Sequence, residues 1–268
     1  MKPRIWLTRP KVQSAHTQLA FEALGFNVLS VPVLEINPVE RAEAVQAIRQ
    51  RIVDFDRYDL AIFVSQNAVH YGCAWLDQFW PQLPTACRFF AIGSATRSAL
   101  LDAGLPVIGA MTVSAAMNSE ALLATEEMAQ VQGKRIVIFR GEGGRTYLGD
   151  CLQARGAQVD YCELYTRALP ADAHKTVVRA MDEGEAWLSV HSGESLQNLV
   201  ALLKELKPIS YQATPNIWLN WPVVVPGQRV AELAAQLGFT QILVAENATD
   251  NAMCEALKKQ LVQNNLNL

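Results

Sequence analysis

The sequence is poor in charge, in histidine and in paired cysteine. Only 18% of its 268 residues are Asp, Glu, Lys or Arg, and the formal net charge is −3. Proteins that live on nucleic acid carry a basic excess or a basic tract. Neither is present, so no nucleic-acid partner is expected, and any bound anion must be held by a local field from a few arginines and backbone amides. The four histidines, His16, His70, His174 and His191, show no metal-ligand spacing with one another or with the cysteines; no metal is expected. The five cysteines are odd in number and include no CxxC pair. MKPRIWLTRP meets a charge every few residues, unlike a secretion signal. The expectation is free thiols in a reducing cytoplasm. No apolar run approaches the roughly 18 residues of a membrane span, so no membrane association is expected.

Nucleotide and nucleophile signatures are missing too. RGEGGR (Arg140 to Arg145) is not GxGxxG, because Thr146 stands where the third glycine belongs, and no GxxxxGK[ST] lysine follows. No cofactor is expected. HSGES, around Ser192, lacks the GxSxG frame of a nucleophile turn, which argues against a serine hydrolase. The six tryptophans read as core packing rather than a stacking platform.

What is present is an alternation. RIWLTRP reads as a strand, SAHTQLAFEALG as a helix ending on Gly25, and FNVLSVPVLEI as a second strand. Further strands are expected at DLAIFV, RFFAIG, LPVIGA, RIVIFR, AQVDYCELY, AWLSV, NIWLNW, PVVVPG and QILVAE, with helices such as SATRSALLDAG and QRVAELAAQLG between them. Alternating strands and helices, with near-continuous apolar strands, indicate an α/β class in which parallel sheets are covered on both faces.

Two internal echoes refine this. RIWLTRPKVQSAHTQLAFEALGFNVLSVPVLEI aligns without a gap on RIVIFRGEGGRTYLGDCLQARGAQVDYCELYTR, setting Arg9 against Arg140 and Gly25 against Gly156. GSATRSALLDAG (Gly93 to Gly104) matches GQRVAELAAQLG (Gly227 to Gly238). A repeat this long implies two similar α/β domains rather than a solenoid. SVPVLEINP and ELYTRALP, with Pro32, Pro38 and Pro170, are too irregular for central strands and read as crossings. The expected domains are therefore residues 1–35 plus 169–268, and residues 39–163, with hinge segments at about 32–38 and 162–169 and a cleft between the two.

Ligands of open α/β sheets collect beyond the carboxyl ends of strands. Those places hold Thr8-Arg9-Pro10, Ser65-Gln66-Asn67-Ala68, Gly93-Ser94-Ala95-Thr96, Arg140-Gly141-Glu142-Gly143-Gly144-Arg145, Ser192-Gly193 and Gly227-Gln228-Arg229. Helix capping also favours Ser, Thr, Asn and Gly, but six such segments, with Arg9, Arg140 and Arg145 among them, point to a site for carboxylates or phosphates. Tyr165, on the second crossing, is a candidate proton donor.

LTRP, SxNAV (Ser65 to Val69), AIGSAT (Ala91 to Thr96), RGEGGR followed by ARGAQV, and ELYTR together resemble the uroporphyrinogen-III synthase family. The resemblance runs on through VHSGESLQNL and ENATDNAMCEAL, covering nearly the whole chain. It implies two α/β domains joined by a two-stranded ladder. It also implies a cofactor-free, metal-free enzyme that cyclises hydroxymethylbilane, a linear tetrapyrrole with eight carboxylates, losing water and inverting the last ring. On that resemblance Tyr165 is catalytic, and substrate is bound by Thr8, Arg9, Ser65, Asn67, Ala68, Gly93, Thr96, Arg140, Gly141, Gly143, Gly144, Arg145, Ser192 and Gly193. A cytoplasmic monomer acting on a small polycarboxylate is expected. Val64, His191 and Val230 stand where the family commonly has threonine, so only backbone contacts carry over there. The residues alone also leave open a non-catalytic hinged binder of a small polyanion, and, third, a glycosyl- or nucleotidyl-transferase.

Overall fold

The computed structural model describes residues 2–108, 119–206 and 216–263. It begins with β1 (Arg4–Leu7), α1 (Ala15–Ala23), β2 (Asn27–Ser30), β3 (Glu35–Pro38) and α2 (Ala42–Val53). Then follow β4 (Leu60–Phe63), α3 (Gln66–Phe79), β5 (Arg88–Ala91), α4 (Ser94–Asp102), α5 (Ser119–Leu123) and α6 (Glu126–Ala129). β6 (Arg135–Gly141), α7 (Tyr147–Ala154), β7 (Gln158–Ala168), α8 (Ala173–Asp182), β8 (Trp187–Ser189) and α9 (Gly193–Glu205) come next. β9 (Val223–Pro226), α10 (Gly227–Gln236), β10 (Ile242–Ala245) and α11 (Asp250–Gln263) complete the order.

The strands form two five-stranded sheets, ordered β10-β9-β8-β1-β2 and β3-β7-β6-β4-β5. Every pair whose register is described is parallel. The protein is an α/β fold with two parallel sheets flanked by helices. By contacts it divides into one unit of Met1–Glu35 with Ala168–Leu268 and another of Ile36–Arg167.

Successive strand residues point to opposite faces, and each sheet separates two apolar layers. In β4, Ala61 and Phe63 join the cluster of Phe55, Phe89 and Phe139, whereas Leu60 and Ile62 join that of Met128, Ile136 and Leu152. In β1, Trp6 packs with Trp218 and Trp221 on one face, while Ile5 and Leu7 pack with Phe21 and Leu257 on the other. Trp6 and Trp221 meet edge-to-face at 5.5 Å, and Phe63 stacks on Phe139 at 4.4 Å. Burial on this scale makes truncation of any of these rings cost about 3–5 kcal/mol.

The internal echo is a structural repeat. β1-α1-β2 corresponds to β6-α7-β7, and β8 and β9 correspond to β4 and β5, so four strands of each sheet share one order; the fifth differs, β10 lying beside β9 in one sheet and β3 beside β7 in the other. The paired glycines match in conformation: φ is 88° at Gly25 and 86° at Gly156, where a side chain would be strained.

Four segments differ from the sequence expectation. FNVLSVPVLEI is two strands, β2 and β3, separated by Val31 to Leu34: Pro32 has no N–H to donate, and the Val31 and Val33 amides reach carbonyls at and just after the end of β1, those of Leu7 at 2.9 Å and Thr8 at 3.3 Å. NIWLNW is a 3-10 turn over Ile217–Asn220: Asn216 takes a left-handed φ of 59°, and Trp218 and Trp221 turn inward three apart, a helical spacing. ELYTRA is not an irregular crossing but the end of β7, an eleven-residue strand lying between β3 and β6. LPVIGA contributes only a bridge from Val107 to Phe89; its last two residues, 109 and 110, lie outside the described residues.

Candidate active site

The winding of a parallel sheet reverses where two adjacent strands lead outward in opposite directions, and a crevice opens there at their carboxyl ends. In the first unit β1 leads to β2 while β8 leads to β9, so this switch lies between Thr8-Arg9 and His191-Ser192. In the second, β6 leads to β7 while β4 leads to β5, and the switch lies between Gly141 and Ser65. Gly93 and Thr96 stand one strand further out, after β5. Gly93 has φ 89° at the start of α4, as its counterpart Gly227 has φ 74° at the start of α10. Thr96 is buried.

The second unit's switch holds the tightest constellation. Ser65 caps α3: its Oγ accepts the Ala68 amide at 3.1 Å, as N-cap hydroxyls do. The same Oγ lies 2.9 Å from the Tyr165 hydroxyl. Tyr165 is 3% exposed. A register shift at Arg140/Gly141 sets Gly141 opposite it, and the Tyr71 ring stacks on its own at 5.8 Å and 25°. Tyr71 is anchored by its hydroxyl, which donates to the Ile36 carbonyl at 3.2 Å. The Ala68 amide is spent on the cap, so it is the earlier amides of α3, at Gln66 and Asn67, that have no carbonyl four residues back within the helix.

In the RGEGGR turn the Arg140 side chain faces inward and does not reach out to a ligand. It is 5% exposed and curls beneath its own turn, donating from Nε to the Gly141 carbonyl and from Nη1 to the Arg145 carbonyl, both at 3.2 Å. The guanidinium lies 4.8 Å over the Tyr161 ring. Gly144 is a glycine because a Cβ there would strike Arg140 Nη2. Gly143, exposed and at φ 67°, completes the turn. Glu142 is held on both sides: Arg41 pairs with its carboxylate, and Arg167 donates to its carbonyl at 3.0 Å. Arg145 is the arginine that the turn presents outward. It is exposed, with no side-chain hydrogen bond or ion pair among the described residues.

In the first unit Thr8 directly follows β1. It is fully buried, and its hydroxyl donates to the Ser189 carbonyl at 2.7 Å, tying β1 to β8. Arg9 is committed to Asp250 at the start of α11: Nη1 to Oδ1 is 2.8 Å, and Thr17 donates to the same oxygen at 2.6 Å. Burial lowers the Arg9 pKa while Asp250 raises it. His191 lies close by with both ring nitrogens buried and without a hydrogen-bond partner. Burial first, and the Arg9 charge second, push its pKa down to about 3, so the imidazole is neutral. Ser192 repeats Ser65: its Oγ accepts the Ser195 amide at 3.0 Å and caps α9, with buried Gly193 as the first helical residue. The extended cap conformations agree closely, φ −163° at Ser65 and −158° at Ser192.

Sequence reasoning missed Tyr71 and Asp250 as partners. Tyr71 sits on the apolar face of a helix where only its anchor marks it out. Asp250 lies within ENATDNAM, 241 residues from Arg9. All five cysteines are free, and burial raises the thiols of Cys87 and Cys162 to about 12. Among the described residues no His, Cys, Asp and Glu cluster could hold a metal, and no helix is long and apolar enough to cross a membrane.

Twin parallel α/β units, each with a serine-capped helix start at its switch point, define the class of protein. Comparison with known proteins gives that class a family. The model of the family described as uroporphyrinogen-III synthase HemD matches residues 15–255. The uroporphyrinogen-III synthase of Salmonella typhimurium is 34% identical over 95% of this chain and 99% of its own. That of Escherichia coli is 33% identical over 95% and 99%. In fold, a mutant uroporphyrinogen III synthase from the extremely thermophilic bacterium Thermus thermophilus superposes with a TM-score of 0.62 at 18% identity, covering 97% of this chain and 99% of that one. The chain belongs to the uroporphyrinogen-III synthase family.

Proposed function

We propose that this protein cyclises hydroxymethylbilane to uroporphyrinogen III, losing water and inverting the terminal pyrrole ring. The observation that carries the reading is the family match over residues 15–255 of a 268-residue chain. The residues around Tyr165 are consistent with it. The reading includes a cytoplasmic, monomeric enzyme that needs no cofactor or metal and takes a small polycarboxylate rather than nucleic acid.

In this reading the substrate carboxylates are received by helix-start amides after Ser65, Gly93 and Ser192, and by the backbone and Arg145 side chain of the Gly141–Arg145 turn. Arg9 and Arg140 act indirectly, through Asp250 and through the turn that Arg140 braces. Tyr165 assists departure of the terminal hydroxyl. The electron-poor azafulvene-type end is then attacked by the far pyrrole at its substituted carbon, and rearrangement of the spiro intermediate delivers the inverted ring. Because the substrate cyclises unaided to the uninverted isomer, the catalytic work is chiefly geometric: the two chain ends must be held in the contact that leads to inversion.

The test is to supply freshly made hydroxymethylbilane and separate the products by isomer. Type III porphyrinogen, formed faster than the spontaneous reaction, is expected. Type I alone at the spontaneous rate sinks the reading. Saturable binding without turnover would instead favour the non-catalytic binder.

A further inference from the structure

Tyr165 is 3% exposed, and the hydroxyl within hydrogen-bond reach of its own belongs to Ser65, at 2.9 Å. Ser65 is the more exposed of the two, at the mouth of the β4-α3 turn. From this pair we infer that Ser65 is a catalytic residue in its own right: the outer member of a two-hydroxyl relay that carries the proton between Tyr165 and the substrate. The inference rests on the cyclising activity proposed above and specifies how its proton moves.

The relay balances. When the terminal C–O bond breaks, Ser65 gives its proton to the departing oxygen, which leaves as water, and Tyr165 gives its proton to Ser65. The pyrrole nitrogen's electron pair fills the gap at carbon, so a cationic substrate end faces a phenolate. After ring closure and rearrangement, the proton released from the pyrrole carbon returns through Ser65 to Tyr165. The enzyme ends as it began.

Three features suit the pair to this. Ser65 Oγ sits at the N-cap of a helix of 14 residues, where aligned peptide dipoles favour transient negative charge. The Ala68 amide, donating to the same oxygen at 3.1 Å, fixes its position while leaving its own proton available to donate. The phenol is hemmed in, because the Tyr71 ring stacks on its own at 5.8 Å and the Gly141 backbone lies so close that a Cβ there would stand 2.5 Å from ring atom Cε2.

The test compares Ser65→Thr, which keeps both cap and hydroxyl, with Ser65→Asn, which keeps a strong helix cap but cannot relay a proton. Tyr165→Phe and the double variant complete the set, and urea midpoints check that each folds. The readout is the single-turnover rate of type III formation. Ser65→Thr is expected within about 3-fold of wild type, because the donating hydroxyl is kept. Ser65→Asn and Tyr165→Phe are each expected to fall by about 10- to 1000-fold, and the double variant no further than the worse single. In mixtures of light and heavy water the wild-type rate should curve with deuterium fraction, as two protons in flight require. A fully active Ser65→Asn, losses that multiply in the double variant, or a linear or flat deuterium dependence each overturn the relay while leaving the synthase reading intact. A wild type that makes only type I overturns the synthase reading, and the relay with it.

Discussion

Gly141 lies directly against the ring of Tyr165: a Cβ placed on residue 141 would stand 2.5 Å from Cε2 and 2.8 Å from Cζ. Glycine is required there by the ring rather than by its backbone angles. Gly141→Ala must push the phenol off its bond to Ser65. The expected result is at least a roughly 10-fold loss of type III formation and a stability loss of about 1–3 kcal/mol from overpacking, read from initial rates and urea midpoints. An alanine variant with wild-type rate would mean that the position of the phenol is immaterial.

Tyr165→Phe keeps the ring, its stacking on Tyr71 and its contact with Gly141, and removes only the hydroxyl. We expect a rate loss of about 10- to 1000-fold, with stability changed by no more than about 1.5 kcal/mol for one hydrogen bond. Full activity in steady-state assays would remove the phenol from the mechanism.

The two arginines of the RGEGGR turn should part company. Arg140 is a buried brace, so Arg140→Ala strands the Gly141 and Arg145 carbonyls and should lower the thermal midpoint by several degrees, along with activity. Arg145 is exposed, with no side-chain hydrogen bond or ion pair among the described residues. Arg145→Ala should leave the midpoint within about a degree and raise KM several-fold with little change in kcat. Equal thermal effects of the two changes would contradict the geometry.

His191 should make the protein acid-sensitive. Its folded pKa, about 3, lies below the ordinary histidine value of 6.5, so between those values the unfolded chain binds the proton and the folded chain does not. Stability therefore falls as pH drops from 6.5 towards 3. His191→Thr removes that proton site. At about pH 5 the histidine should forfeit about 2 kcal/mol relative to pH 7, and the variant should be spared this loss. Urea midpoints of both proteins across that range decide it. Parallel curves would show that His191 is hydrated or moves on protonation.

Strand identity and the repeat were legible because both rest on local pattern. The apolar runs of β4, β6 and β9 are buried on both sides, and Gly25 and Gly156 mark equivalent turns. NIWLNW misled because an apolar run carries no period by itself; only the inward pair Trp218 and Trp221, three apart, reveals the helical turn. ELYTRA misled because Pro170 was read backwards into the strand, whereas β7 ends two residues before it, at Ala168.

For the candidate site, the sequence shows which residue types stand at the strand ends but not how their side chains are oriented. Ser65 and Tyr165 are 100 residues apart and meet, a pairing that the strand ends foreshadow. Whether an arginine points outward is settled by packing instead. Arg140 turns inward because Tyr161 and two carbonyls receive it, and nothing in RGEGGR distinguishes it from Arg145. Arg9 is neutralised by an aspartate from the far end of the chain.

The strand order has a consequence for biosynthesis. β1 is a central strand, with Ile5 registered against Trp187 on β8, so roughly the first 35 residues leave the ribosome long before half of their sheet exists. Residues 36–167 need nothing made later and can close their own sheet during translation. At about 5–20 residues per second, the opening segment waits on the order of ten seconds or more for its neighbour. During that wait, the exposed edges of β1 and its apolar faces are the part of the nascent chain most open to chaperones and to mispairing.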